Sequence, residues 1–261
     1  AKQMGKGATP EQAEASAVME LVERFSCYSY IANPANFTIG TINDVGKTAM
    51  SFNDIARSVN DGTGDLDAAR RVFESLPMKW AQAYNLTRQE TVMIPFDWFF
   101  AINEFNGTSA GNCREEALCQ GICEIVERHV SALVCSDNIR VPGIDPDSAN
   151  DPMVRQMLAK YRKCGIRLYL SDFTLDMGIA SVGVLAHDPH TFPRGSEIVW
   201  TAGTAPDPQK ALGRALSETA QLGGDFNTGA NYVASGLPKL TNIASAEYIT
   251  APAAHIHIKD L

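Results

Sequence analysis

Asn-Gly-Thr-Ser-Ala-Gly-Asn-Cys-Arg-Glu-Glu-Ala-Leu-Cys-Gln-Gly-Ile-Cys-Glu-Ile-Val-Glu-Arg-His, residues 106–129, is the stretch from which the chain is best read. An asparagine-rich turn leads into a helix. Along it, Glu116, Gln120, Glu124 and Glu127 follow at steps of four, four and three, which keeps them within an arc of about 80° on one face. Like charges one turn apart destabilise a bare helix by about a few tenths of a kcal/mol each, so such a stripe needs a cause. Leu118, Ile122, Ile125 and Val126 lie off the stripe and predict the packed side. For one helix taken alone, a solvated face is the plain alternative.

The pattern recurs. In Met-Glu-Leu-Val-Glu-Arg-Phe (19–25), Glu20 and Glu23 have the spacing of Glu124 and Glu127, each pair about 60° apart on its helix and followed directly by arginine. Two such faces brought together gather four carboxylates, more negative charge than a protein interior tolerates without cations. A third, weaker copy, Gly-Arg-Ala-Leu-Ser-Glu-Thr-Ala-Gln (213–221), sets Glu218 and Gln221 in the same relative places, with Arg214 one turn before Glu218. Carboxylates suit Mg2+, and the arginine fork suits phosphate oxygens or a neighbouring carboxylate; together they predict a site for a nucleoside triphosphate. Neither G-x-x-x-x-G-K-[ST] nor a G-x-G-x-x-G after a strand is present, and Gly5-Lys6-Gly7 is too short for a glycine-rich cradle. Any phosphates must be held by side chains and Mg2+.

The two E-x-x-E-R helices, the Ser-Ala-Gly-Asn-Cys-Arg-Glu-Glu-Ala lead-in (109–117) and the later Arg-Ala-Leu-Ser-Glu-x-x-Gln (214–221) resemble, in order and spacing from about Lys6 to Leu261, the YcaO family of ATP-dependent enzymes that modify peptide backbones. The resemblance implies one α/β domain over residues 1–261, a mixed sheet faced by helices whose acidic faces line one nucleotide cleft, with ATP and Mg2+ as cofactors. Glu20, Glu23, Glu124 and Glu127 then look like metal ligands or their close neighbours. Ser109, Asn112, Glu116 and Gln120, with Ser16 one turn before Glu20, resemble the nucleotide-contacting set, and Arg128 and Arg214 the phosphate-contacting, catalytic arginines. Members often supply an N-terminal lysine to the nucleotide, and azoline-forming members end in a proline-rich tail. Neither is recognised here, and the chain, which begins Ala1-Lys2-Gln3, is expected to lack terminal segments of a longer protein.

The implied chemistry is activation of an amide. A nucleophile adds to a peptide carbonyl, ATP phosphorylates the resulting oxyanion, and oxygen departs as phosphate. A side chain of the substrate gives an azoline, external sulfide a thioamide, a backbone amine an amidine. The alternative from the same family is a nucleotide-binding accessory protein assisting another enzyme, such as a ribosomal-protein methylthiotransferase. Expected partners are a peptide or protein substrate and a separate leader-binding, ubiquitin-activating-like or TfuA-like protein, the last favouring thioamide formation; a homodimer is compatible with all of these. A third reading, a carboxylate-bridged metal protein without ATP, is disfavoured by the lack of Glu-x-x-His pairs.

Composition agrees. The 261 residues, 45% hydrophobic, can bury one sizeable core or two lobes sharing a sheet. A net charge of -8 with no basic run argues against nucleic-acid binding. The six cysteines, Cys27, Cys113, Cys119, Cys123, Cys135 and Cys164, form no C-x-x-C and are expected as buried free thiols, although Cys119 and Cys123, one turn apart, have the spacing to chelate a soft metal. No signal peptide and no apolar run of membrane-spanning length is present, which predicts the cytoplasm and no membrane association. His129, directly after Glu127-Arg128, is expected to pack its helix, the alternative being a place lining the nucleotide cleft.

Helices are predicted from Pro10 to about Tyr30, with Thr9 as N-cap and Gln12 as its reach-back residue, over 65–76, over 153–164 and through the third glutamate block. Strands are expected at 36–42, 91–99, 167–172, 179–186 and 197–202, while 139–144 is a short, proline-bounded segment. The glycine-rich run Gly223–Tyr232 reads as a loop, either a plain turn-forming segment or a cover for the nucleotide or substrate.

Overall fold

The computed structural model describes residues 3–60, 62, 64–193, 198–227 and 242–261. It divides into two compact units, one formed by the residues up to Glu23 with Asn106–Leu261, the other by Arg24–Phe105, and the division falls within the first helix. That helix, α1, runs Pro10–Ala32. Thr9 Oγ1 accepts the Gln12 N–H at 3.3 Å, while Gln12 Oε1 accepts the Ala8 N–H at 3.0 Å, one residue before the cap that a capping box would serve.

The 24–105 unit holds a three-stranded antiparallel sheet ordered β1 (Phe37–Gly40), β2 (Met78–Asn85), β3 (Glu90–Pro95), with short helices α2 (Ile42–Val45) and α3 (Phe52–Ala56) and the longer α4 (Leu66–Ser75). Trp80 is fully buried among Phe52, Ile55 and Phe73, and its indole N–H donates to Gly40 O at 3.0 Å. The strand expected at 91–99 ends at Pro95, and Phe96–Asn103 is helix α5. Proline has no N–H for a ladder, and the Asp97 carboxylate in the first turn of α5 accepts the Lys79 N–H at 2.9 Å. Hydropathy alone does not distinguish the aromatic run 96–100 from a buried strand.

The larger unit is built on a five-stranded mixed sheet in the order β7 (Val199–Thr204), β6 (Ser181–His187), β5 (Arg167–Asp172), β4 (Gly143–Ile144), β8 (His255–Ile256), antiparallel throughout except for the parallel β4–β8 pair. Every residue of β6 is buried. Its Val182 and Val184 pack with Val154 and Leu158 of α7 (Pro152–Lys163) and with Ala211, Leu212, Ala215 and Leu216 of α8 (Pro208–Asn227). Its Leu185 packs with Val126, Val130 and Val134 of α6 (Arg114–Ser136) and Ile249 of α9 (Glu247–Thr250). Alternate side chains of a strand point to opposite faces, so helices cover the sheet on both sides. Each unit therefore has its own sheet rather than a share in a common one.

Two expectations change. The packed side of α6 is Cys123, Val126, Val130 and Val134, whereas Leu118, Ile122 and Ile125 are exposed. At 100° per residue Glu127 stands about 40° from Cys123, so the polar stripe borders the buried face instead of opposing it. Residues 223–227 continue α8 rather than forming a loop, and 228–232 lie outside the described residues.

Candidate functional site

The edge strand β7 ends where α6 and α8 both reach it. At Gly203 an added Cβ would stand 2.3 Å from Ala211 O and 2.6 Å from Ala215 N, so only glycine lets α8 lie this close to the strand. At the next residue the backbone is bracketed from both sides. Glu127 Oε2 of α6 accepts the Thr204 N–H at 2.9 Å, and Arg214 Nη1 of α8 donates to Thr204 O at 2.8 Å. Arg214 Nη2 also donates to Gln120 Oε1, closing a bridge between the two helices over the strand end.

Lys6, dismissed in the sequence with Gly5 and Gly7, enters this cluster. Its ammonium pairs with Glu218 of α8, with 39% of the lysine side chain exposed. Burial of the ammonium end lowers its pKa; Glu127 and Glu20 oppose the shift, and Arg214 and Arg128 add to it. The path of the segment is set by close packing: an added Cβ on Gly5 would stand 1.8 Å from Ala13 O of α1, and Gln221 Nε2 of α8 donates to Met4 O at 3.2 Å. Burial likewise raises the Glu127 pKa, against the pull of Arg128, Lys6 and the Thr204 N–H and with the help of Glu124. Lys6 and Arg128 thus pair with Glu218 and Glu124, and Arg214 adds a third positive charge beside the glutamate helices.

Other sequence candidates occupy more local positions. Arg128 pairs with Glu124 one turn earlier at 3.6 Å, with 61% of the arginine side chain exposed. Glu23 Oε1 accepts the Thr108 hydroxyl at 2.9 Å, tying α1 to the loop before α6. Glu116 Oε2 accepts both the backbone N–H of Asn112, at 2.9 Å, and its side-chain amide, at 3.0 Å. This is the reach-back seen at Gln12, again one residue before the cap. The Ser109 hydroxyl donates to Ala117 O at 2.5 Å, and Ser16 is half-buried on α1 without a hydrogen-bonding partner among the described residues. Among the described residues no three acids, histidines or cysteines stand close enough to hold a metal ion by themselves.

Thr204, Thr108 and Lys6 escaped the sequence reading. The first acts through its backbone and the second through a loop hydroxyl. For Lys6 a signal existed, a lysine between two glycines just before the cap of a glutamate helix. His129 is exposed rather than packed, and of the cysteines only Cys123 is buried; Cys113, Cys119 and Cys164 are exposed. No helix among the described residues is long and apolar enough to cross a membrane.

Comparison with known proteins gives this arrangement a context. The chain is 31% identical over 230 residues to an uncharacterized protein of Methanothermobacter thermautotrophicus, covering 83% of this chain and 56% of the relative. It is 29% identical over 238 residues to an uncharacterized protein in the tfuA 3′ region of Rhizobium leguminosarum bv. trifolii, covering 83% and 53%. With the ribosomal protein S12 methylthiotransferase accessory factor YcaO of Escherichia coli the identity is 27% over 240 residues, covering 83% and 40%. The chain therefore spans about half the length, or less, of these relatives. Among solved structures, a heterocyclase in complex with substrate and cofactor superimposes with a TM-score of 0.78 at 25% identity, over 96% of this chain and 37% of that one. YcaO from Methanopyrus kandleri, bound with AMPPCP and Mg2+, superimposes with a TM-score of 0.71 at 24% identity, over 98% and 64%. Residues 4–259 match the profile of the family described as YcaO cyclodehydratase, ATP- and Mg2+-binding, and the chain belongs to that family.

Proposed function

We propose that this chain binds ATP with Mg2+ at the end of β7 and uses it to activate a backbone amide of a peptide or protein substrate. The observation that carries the reading is the convergence of Lys6, Arg214 and Arg128 with Glu20, Glu127 and Glu218, from three helices and the segment before α1, at the end of β7. The donor set fits the group. Cations already drawn partly out of water suit phosphate oxygens, and Mg2+ usually takes one or two carboxylates and leaves the rest of its shell to phosphates and water. Glu20 and Glu127, with Glu23 and Glu124 beside them, would hold the metal; Lys6, Arg214 and Arg128 would hold the phosphates, with Gln120 orienting Arg214. Ser16 on α1, Ser109 and Asn112 in the loop before α6 and Glu116 in its first turn are assigned to the nucleotide on the family pattern.

Bound ATP supplies the phosphoryl group that lets an amide oxygen leave as phosphate. The chain's share is positioning and charge. Arg214, fixed by two hydrogen bonds, and Lys6, pinned against Glu218, present preorganised cations that need little rearrangement as charge develops on the transferring group. The nucleophile comes from the substrate or from sulfide, and its identity sets an azoline, thioamide or related product. The Rhizobium relative from a tfuA 3′ region favours a TfuA-like partner and a thioamide; a leader-binding or ubiquitin-activating-like partner would favour an azoline. Action in the cytoplasm accords with both, and a homodimer with either. The Escherichia coli accessory factor favours a second reading, in which the chain binds nucleotide and assists another modifying enzyme.

Phosphate release by the full-length protein, with and without candidate peptides whose amide oxygens carry 18O, separates these. Peptide-dependent turnover with the label appearing in phosphate supports catalysis. ATP binding without such turnover supports the accessory role, and no ATP binding removes both.

A further inference from the structure

The short turn Pro146–Ser148 and helix α7 border a cleft of about 320 Å3, lined by Pro146, Asp147, Arg155, Leu158, Ala159 and Arg162. It lies wholly within the larger unit and shares no residue with the cluster at Thr204. Its α7 wall follows from spacing. Residues 155, 158, 159 and 162 fall at i, i+3, i+4 and i+7 on one helix face, which sets the two arginines two turns, about 10.5 Å, apart along the axis. Leu158 and Ala159 lie between them. Behind this wall, Val154 and Leu158 pack in the core with α8, and the Tyr161 hydroxyl donates to Leu216 O at 2.8 Å, so the face is preformed.

Charge decides what the cleft can hold. In a chain of net charge -8, α7 carries Arg155, Lys160, Arg162 and Lys163 and no acid. The Arg155 side chain makes no hydrogen bond or ion pair among the described residues. Arg162 Nη2 meets Asp147 Oδ1 at 3.2 Å, but 70% of the arginine side chain and 78% of the aspartate are exposed, and a pair so open to water contributes little. An incoming carboxylate can therefore take either guanidinium through its fork, displacing Asp147 from Arg162. The side chains of Pro146, Leu158 and Ala159 between the arginines offer no polar partner, which suits an apolar group and not an ion charged all round. In an extended polyproline II segment, residues three apart lie on one side at about 9.3 Å, close to the arginine spacing, and the next row of side chains turns toward the apolar floor.

We propose that this cleft docks an acidic peptide segment, two carboxylates three residues apart engaging Arg155 and Arg162 while an apolar neighbour rests on Pro146, Leu158 and Ala159. The site does not depend on the nucleotide reading.

The test is fluorescence anisotropy of a labelled peptide containing Glu-Leu-Pro-Glu, titrated with the nucleotide-free full-length protein at low ionic strength. Saturable binding is expected, at least about fivefold weaker in Arg155→Gln and in Arg162→Gln, and weaker by as much for the peptide carrying Gln-Leu-Pro-Gln. Asp147→Asn removes the competing carboxylate and should tighten binding about twofold. Lys160→Gln removes the same charge about 140° round α7 from Arg155, outside the cleft, and should leave the affinity within about twofold of wild type. All four substitutions are at exposed positions, so the melting curves should match that of wild type. An equal loss in Lys160→Gln reduces the binding to general attraction and overturns the site, as does unchanged affinity in both arginine variants. Failure of wild type to bind the acidic peptide, whether or not inorganic phosphate binds in its place, overturns it too.

Discussion

Replacing Arg214 with lysine keeps the charge and removes the fork. In the wild-type chain the guanidinium spans two acceptors, Thr204 O at 2.8 Å and Gln120 Oε1, and a single ammonium on a shorter stem serves one of them. A hydrogen bond from a charged donor contributes about 1.5–3 kcal/mol, and because Gln120 is half-buried, water can replace the lost partner, which puts the loss near ~1.5 kcal/mol. For a chain of this size that lowers the melting temperature of the nucleotide-free protein by about 3–6 °C. The phosphate role adds a separate loss. Exchanging a bidentate contact for a monodentate one costs about another 1.5 kcal/mol, or roughly tenfold in ATP affinity. Calorimetric titration with ATP and Mg2+, beside melts with and without nucleotide, reads the two effects independently. Gln120→Leu is the control, since it removes one acceptor and leaves the arginine. If Arg214→Lys melts lower but binds ATP as tightly as wild type, the residue only ties α6 to α8, and its assignment to phosphate fails.

Glu127→Gln keeps an acceptor for the Thr204 N–H and removes a carboxylate that burial disfavours, so the nucleotide-free protein should be no less stable at neutral pH while Mg2+-dependent ATP binding weakens at least about tenfold. Burial raises the folded pKa of Glu127 above 4.5, so its contribution to stability is full below that value and lost as pH rises through the folded pKa. The melting temperature of Glu127→Gln relative to wild type should therefore increase from about pH 4 upward, and a decrease contradicts the assigned burial. Gly5→Ala forces a Cβ into the α1 backbone and displaces the Lys6 segment; ATP affinity should fall as far as in Lys6→Ala with little change in melting temperature, and an unchanged affinity argues that Lys6 does not reach the nucleotide. Cys113 is the N-cap of α6, exposed and without a side-chain capping bond, so Cys113→Ala should leave turnover within a few fold. Loss of turnover with ATP still bound would mean that the chain uses its own thiol as nucleophile.

What could be read from sequence was local. The bounds of β5 and of α7 follow from periodicity and caps: Asp151 and Pro152 start α7, and its apolar positions Val154 and Leu158 face the core. The spacing along α6 and α8 marked Gln120, Glu127 and Arg214 as candidates; that they meet at Thr204 depends on the packing of both helices against β7. β2 was missed because Met-Lys-Trp-Ala-Gln-Ala-Tyr-Asn alternates poorly, its burial set by pairing with β1 and β3 on either side. Which way α6 faces was also hidden. Leu118, Ile122 and Ile125 are as apolar as the valines that are buried, and only the position of β6 and β7 selects Val126, Val130 and Val134. For Lys6 the Gly-Lys-Gly run before the cap of α1 was a local signal, but the contacts of Met4 and Gly5 with α8 and α1 that bring it to the cluster are long-range and not written in any local pattern.

The most direct test of the central claim is equilibrium binding of ATP to the full-length protein in the presence and absence of Mg2+, repeated on Lys6→Ala and Glu20→Gln. Tight binding to wild type only with Mg2+, weakened at least tenfold in both variants while their melting temperatures hold, is the expected result. Binding that ignores Mg2+, or that survives both substitutions unchanged, contradicts a nucleotide site at the end of β7.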